Sequence, residues 1–335
     1  MRWLTARLGN ERGASAVLVA VLLVPLFGFA AIAVDVGALY VERGQLQNGA
    51  DAAALAIAQD CATDGVCTGS AATAAVFADA NALDGAANVL TPTFPTSNSV
   101  TVTSSTRVAG TDADAISHPF ARFIGIDSTT VRAEATAEWG GPGSGTVLAL
   151  ALSWCEFQES LGAPGGRMTI RTDTNKECKH LPSTEVIPGG FGWIDNTTGP
   201  CEATINLSLN LDAAGELWVD SDPGASVPSE CKPSLSKFKN EPVLIPIYDL
   251  VRGTGTNAEY RIFAFAAFTV TGWKFPSTPA TDIDLSAPIC PPSPASCPGG
   301  NWKGIQGIFE ELVSVDSAFG LGGPQLNGTI VRLSN

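Results

Sequence analysis

The residues with the most chemical reach in this chain are eight cysteines: Cys61, Cys67, Cys155, Cys178, Cys201, Cys231, Cys290 and Cys297. An even set of thiols can close disulfides, bind a metal as thiolates, or act as nucleophiles beside a base. The spacing argues against a metal. No C-x-x-C occurs, and the only histidines are His118 and His180. So few imidazoles also leave a thin supply of general bases. His118 precedes Pro119 and reads as a turn residue; His180, beside Cys178 and Lys179, reads as a surface one. Disulfides account for the set, and nearness in sequence suggests 61–67, 155–178, 201–231 and 290–297. Spacing alone does not decide among the many connectivities that eight cysteines allow.

Other candidate chemistry is weak. The acidic pairs Asp112/Asp114, Asp282/Asp284 and Glu310/Glu311 lack EF-hand spacing and read as solvated loop carboxylates. GGPGSG at 140–145 has no following Lys-Ser/Thr and so is not a phosphate loop. Asn196, Asn206 and Asn327 head N-x-S/T triplets, which matter only in a eukaryotic secretory pathway. The expectation is a non-enzymatic protein with no catalytic, cofactor-binding or metal residue and no evident small-molecule substrate.

Disulfides need an oxidising compartment, and one segment supplies the route to it. Residues 14–34, ASAVLVAVLLVPLFGFAAIAV, carry no charge. At about 1.5 Å per residue they span roughly 31 Å as a helix, close to the roughly 30 Å hydrocarbon thickness. Pro25 is compatible, because a membrane helix re-satisfies freed backbone groups locally. Arg2, Arg7 and Arg12 precede the segment with one acid, Glu11, and basic flanks stay cytoplasmic. The total charge is -14; removing the +2 of residues 1–13 leaves -16 on the rest. That acidic balance argues against a nucleic-acid partner. A cleaved signal is the competing reading, with weak small-residue sites at Ala30, Ala31 and Ala33. The helical pattern continues past it, however, through Val36, Leu39, Leu46, Ala50, Ala53 and Ile57. A retained anchor is the simpler expectation.

The elements that must position everything else follow from periodicity. Residues 1–13 form a cytoplasmic N-terminus, 14–34 a transmembrane helix and 35–60 a helical stalk. Residues 61–140 read as a small α+β unit: a helix over 70–84, a strand over 99–108, a helical turn at 118–124 and a strand over 129–138. Residues 141–145 read as a linker. Residues 146–335 read as a disulfide-stapled, β-rich extracytoplasmic domain, with strands near 146–152, 168–172, 203–211, 216–219, 243–251, 307–315 and 329–333. The strongest strand is EYRIFAFAAFTVTG at 259–272, with Arg261, Phe263 and Phe265 expected on one face and Ile262, Ala264 and Ala266 on the other. Its apolar run is too short for a second helical span. The fold class is α+β.

The stretch from Glu11 to Gln59 resembles the N-terminal region of tight-adherence (Tad) pilus-assembly proteins of the TadE/TadG-like kind. The resemblance rests on the Arg12-Gly13 entry, the apolar helix, the Asp35-x-Gly37 exit, then Tyr40, Arg43, Leu46, Gln47 and the ADAAALA run at 50–56. It implies a single-pass protein of a bacterial cell membrane that works with other pilus-assembly proteins on thin Flp-type pili. Two features depart from the group. Prepilin-like members carry glutamate at the fifth position after the processing glycine, where this chain has Leu18. Larger members carry a von Willebrand A-type Asp-x-Ser-x-Ser metal site, and Asp220-Ser221-Asp222 does not fit it. Small residues suggest lateral helix association through Ala33 and Gly37, extended by Leu46, Ala50, Ala53 and Ile57. The alternative function is a membrane-tethered surface domain whose β-rich region binds a ligand or envelope component.

Overall fold

The computed structural model describes residues 12–334 apart from 162–164, 172–175, 182–184, 196, 223–226, 230, 255–256, 276–280, 289–301 and 315–318. Cys290, Cys297 and Asn196 therefore lie outside the described residues. The protein is mixed α+β: a long N-terminal helix, few other helices, and a β-rich C-terminal region. It divides into two compact units. One takes most of the long helix, up to Ile57, together with Cys67–Ala137; the other takes Ala58–Val66 and Glu138–Arg332.

In the first unit, helix α1 (Arg12–Asp64) runs 53 residues without a break, Pro25 included. Two kinds of surface follow each other along it. From Ser15 to Val34 its side chains are almost all exposed and apolar. Beyond Asp35 a three-four stripe turns inward, with Leu46, Ala50, Ala53 and Ile57 all buried. Helix α2 (Ser70–Asn81) crosses this stripe closely, since a Cβ on Gly49 would fall 3.1 Å from the Ala78 Cα. Strands β1 (Ala87–Val89), β2 (Ser99–Thr106), the short pair β3 (Ile116–Ser117) and β4 (Ser128–Thr129), and the start of β5 (Arg132–Leu148) complete the unit. Leu46, Ala78, Ala87 and Ala133 form its small core. Side chains fix the helix to the strands: Ser104 Oγ donates to the Leu46 carbonyl at 2.7 Å, and Gln47 Nε2 to the Glu134 carbonyl at 3.1 Å.

The second unit holds the rest of β5 and then β6 (Leu150–Ser153), helix α3 (Trp154–Ser160), β7 (Arg167–Arg171), β8 (Glu177–Cys178), β9 (Ile187–Pro188), β10 (Phe191–Trp193) and β11 (Glu202–Asn206). It continues with β12 (Trp218–Asp220), β13 (Pro242–Arg252), β14 (Glu259–Lys274), β15 (Gly304–Phe309), β16 (Leu312–Ser314), β17 (Gly320–Gly323) and β18 (Gly328–Ser334). One sheet runs β10-β6-β13-β14-β15-β7, with β12 also on β14; all its pairs are antiparallel except β6 with β13. In the other, β11 and β17 pair with β5, and β16 lies parallel to β18. Strand β14 is covered on both faces. Phe265 and Ala267 belong to one apolar cluster, Ala266, Phe268 and Val270 to another. Two disulfides, Cys155–Cys178 and Cys201–Cys231, brace this unit. Cys61 and Cys67 are disulfide-bonded as well.

Two sequence expectations need correction. The stretch 141–145, expected as a linker, lies inside strand β5. Its glycines make room for β17: a Cβ on Gly141 would fall 2.4 Å from the Gly323 carbonyl oxygen, and one on Gly143 would fall 2.8 Å from that of Leu321. The composition that suggested flexibility serves close backbone approach instead. The alternation expected along 261–266 also fails. The pairing of β13 with β14 jumps from Ile247↔Ala264 to Tyr248↔Ile262, then from Tyr248 to Leu250. Phe263 and Asp249 are the residues left over, and a bulge of this kind reverses which face the following side chains meet. Phe263 thus packs with one cluster and Phe265 with the other.

Replacing Gly141 by Val should push β17 away from β5 and cost about 1–3 kcal/mol, the usual range for overpacking. The check is a lower midpoint in thermal unfolding of the full chain. Reducing the protein should destabilise it by about 3–4 kcal/mol for each loop of this size that opens, read as a shift of the denaturant midpoint.

Candidate functional site

Three places concentrate polar chemistry, one in the first unit and two in the second. In the first unit it lies where α1 changes character. Asp35 is the first charged residue after the apolar run, yet it is only 4% exposed. Its carboxylate accepts the backbone N–H groups of Phe120 and Ala121, which open a 3₁₀ turn at Ala121–Ile124. Further along, Gln45 Oε1 accepts the Leu83 N–H at 2.7 Å. Glu42 is pushed up from the usual carboxylate range, by burial first and by the Asp84 charge second. His118, expected in a turn, is buried at the end of β3, its Nε2 2.7 Å from Thr129 Oγ1.

The expected helix-association residues separate into two groups. Ala33 and Gly37 are exposed, and open space surrounds the Gly37 Cα. Leu46, Ala50, Ala53 and Ile57 are buried within this chain, so their surfaces are already taken.

The second place is the bulge between β13 and β14. The extra residue Asp249 turns inward and is nearly buried. It receives Arg261 through two contacts of 2.8 Å, from Nε and Nη2, and His180 Nδ1 at 2.7 Å. Arg261 reaches Glu216 as well. The other extra residue, Phe263, stacks with His180 and Trp154 at centroid distances of 4.4 and 5.6 Å. The bonds to Asp249, then its charge and Glu216, hold the Arg261 guanidinium above its ordinary pKa against the pull of burial. His180, Glu216, Asp249, Arg261 and Phe263, together with Leu181 and Leu207, line a cleft of about 290 Å³. His180, expected on the surface, is thus half-buried and oriented by a carboxylate.

A histidine oriented by a carboxylate is half of a hydrolytic set, which also needs a nucleophile beside it. Among the described residues that line the cleft there is no Ser, Thr or Cys. Asp249 is shared with Arg261, so the arrangement ties the bulge together through charge-assisted hydrogen bonds. Among the described residues, no three His, Cys, Asp or Glu side chains gather as a metal set.

Helix α3 carries a third polar knot. Ser153 caps it, its Oγ accepting the Cys155 N–H at 3.2 Å. Periodicity does not anticipate this helix; Ser153-x-x-Glu156 has the capping-box spacing that could have marked its start. Glu156 instead turns away to accept the Gly190 N–H at 2.9 Å and Lys176 Nζ at 2.6 Å. Burial raises the Glu156 pKa, and Lys176 offsets that only in part. Burial lowers Lys176, but the Glu156 and Glu159 carboxylates outweigh it and leave it raised.

The decisive likeness lies in α1. A family model, Tad, described as "Putative Flp pilus-assembly TadE/G-like", matches residues 13–60. The N-terminal region is TadE/G-like. The match covers the apolar half of α1 and the buried stripe together, ending four residues short of the helix terminus. No curated protein and no solved structure matches the chain. The TadE/G-like region and the bulge cleft are therefore separate features of one chain, and only the first carries a family likeness.

Lys176→Met should leave Glu156 buried without its cation and cost about 3–5 kcal/mol near neutral pH. Because burial already raises the Glu156 pKa, its neutral form is the better tolerated one. The loss should shrink as pH falls and Glu156 is protonated. Unfolding midpoints of both proteins across the acidic range check this.

Proposed function

We propose that this chain is a non-enzymatic, membrane-anchored component of a Flp-type pilus-assembly or secretion apparatus. The TadE/G-like match over one continuous helix is the observation that carries the reading. Helix α1 is long and apolar enough to cross a membrane near the N-terminus, and none of the apolar window is buried in the protein. In this reading α1 crosses once, the arginine-flanked N-terminus stays cytoplasmic, and everything beyond Asp35 in both units stands outside. Disulfides at Cys155–Cys178 and Cys201–Cys231 suit that compartment. Sister pilus-assembly proteins are the partners, and the exposed Ala33/Gly37 face of α1 is where a second membrane helix can approach closely.

A second reading, a tethered surface-binding domain, draws on the limited reach of the family match and on the cleft beside Asp249 and His180. Exchanging residues 14–34 for an unrelated membrane helix separates the two. Activity kept after the exchange favours the tether.

Deleting the gene should abolish surface pili, with recovery on return of the full-length chain. Normal piliation in the deletion strain would reject the proposal. Gly37→Leu, at a position with open space around it, should weaken crosslinking to neighbouring pilus proteins without lowering thermal stability. Unchanged crosslinking would remove the Ala33/Gly37 face from the account.

A further inference from the structure

We infer that the turn 119–126 is a second membrane contact: its apolar tip sits in the outward lipid interface beside the point where α1 leaves the bilayer. The inference rests on the proposal that α1 spans the membrane. Its own basis is a cluster of large apolar side chains that the fold holds out in the open. Phe123 is 77% exposed and Ile124 73%, with Phe120 and Ile126 beside them also exposed. None of these four belongs to the core of the first unit.

The exposure is built rather than incidental. The base of the turn is the β3–β4 pair, in register at Ile116↔Thr129 and Ser117↔Ser128. The His118 N–H bonds to the Asp127 carbonyl at 2.9 Å, and the His118 ring is buried against Thr129. At the tip, the Ile126 N–H returns to the Ala121 carbonyl at 3.1 Å, and Gly125 closes the turn at φ +88°. A left-handed residue there lets the chain reverse tightly while its neighbours point out.

Asp35 fixes where this tip lies. The carboxylate follows directly on the apolar run, so its height is that of the membrane rim. Phe120 and Ala121 hang from it by their backbone N–H groups. Ile124 is three residues on, about 6 Å at the 3₁₀ rise of roughly 2 Å per residue. The interfacial layer on each side of the hydrocarbon is about 5–7 Å deep. Whichever way the turn points, Phe123 and Ile124 stay within or next to that layer. The turn also covers Asp35, so the first charge after the apolar run does not face lipid. Arg122 lies over the Phe123 ring, 5.2 Å from its centroid, which places a cation at the level of lipid phosphates. Aromatic rings and a basic side chain on a short amphipathic turn match the chemistry of the bilayer interface.

The test uses the full chain in its native membrane with a photoreactive benzoylphenylalanine at one site at a time: Phe123, Leu22 or Leu83. Leu22 lies in the middle of the apolar run. Leu83 is as exposed as Phe123 but is held by Gln45, ten positions beyond Asp35 and thus about 15 Å further along the helix. Lipid adducts at Leu22 and at Phe123, and none at Leu83, are expected. Lipid adducts at Leu22 with protein adducts or none at Phe123 would overturn the lipid contact and leave the spanning helix intact. No lipid adduct at Leu22 would overturn both. Equal lipid labelling at Leu83 and Phe123 would show that the turn has no special depth and would also reject the inference.

Discussion

One continuous helix, α1 from Arg12 to Asp64, with a single N–H missing from its ladder at Pro25, has to satisfy two environments at once. Its first half offers side chains that water does not favour and that the protein leaves uncovered. Its second half offers alanines small enough for a helix and a sheet to close over them. Neither half explains the other, but both share one axis and cannot rotate independently. The face that turns inward at Leu46 and Ala50 therefore fixes which face is presented at Ala33 and Gly37. The first unit is assembled around that constraint: Gly49 lets α2 in close, and Ser104 and Gln47 tie the strands to the helix backbone and side chains.

The junction between the two environments is where the chemistry becomes demanding. A carboxylate next to a hydrocarbon segment is costly unless its lone pairs are occupied. Asp35 meets that cost with two backbone donors from a distant loop. In the second unit the same logic applies without lipid. Asp249, displaced inward by a bulge, is acceptable there because Arg261 and His180 both reach it. In each unit a buried acid organises the segment around it.

Much of this was legible in the sequence, for identifiable reasons. Residues 14–34 declare themselves because a long uncharged run has few other uses. The stripe through Leu46, Ala50, Ala53 and Ile57 follows from helical periodicity, and 259–272 reads as a strand from its β-branched and aromatic content. What escaped depended on contacts between residues far apart. Phe263 and Asp249 fall out of register together, and nothing local in either strand marks the bulge. GGPGSG looks like a flexible joint until Gly323 and Leu321 are known to lie against it. His180 follows the disulfide-bonded Cys178 and the charged Lys179 in sequence, yet its partners are Asp249, Trp154 and Phe263. Asn327, flagged only as a glycosylation triplet, uses its amide to bridge Ala267 and Glu310 across strands.

The pairing of the second unit also sets an order of events. Strand β5 is made early, but β17, which shields its glycine-lined stretch, comes nearly last in the chain. Tyr248 must likewise return to Ser153 in a parallel pairing. Such non-local closures are slow, because the entropy of a large loop is lost before any contact rewards it. An anchored chain waiting for its last strands would hold a glycine-rich strand with open hydrogen-bonding groups, the kind of edge that pairs with the wrong neighbour. Folding of this unit thus finishes only after its last strands are made, and its yield is set by how long that edge stays open.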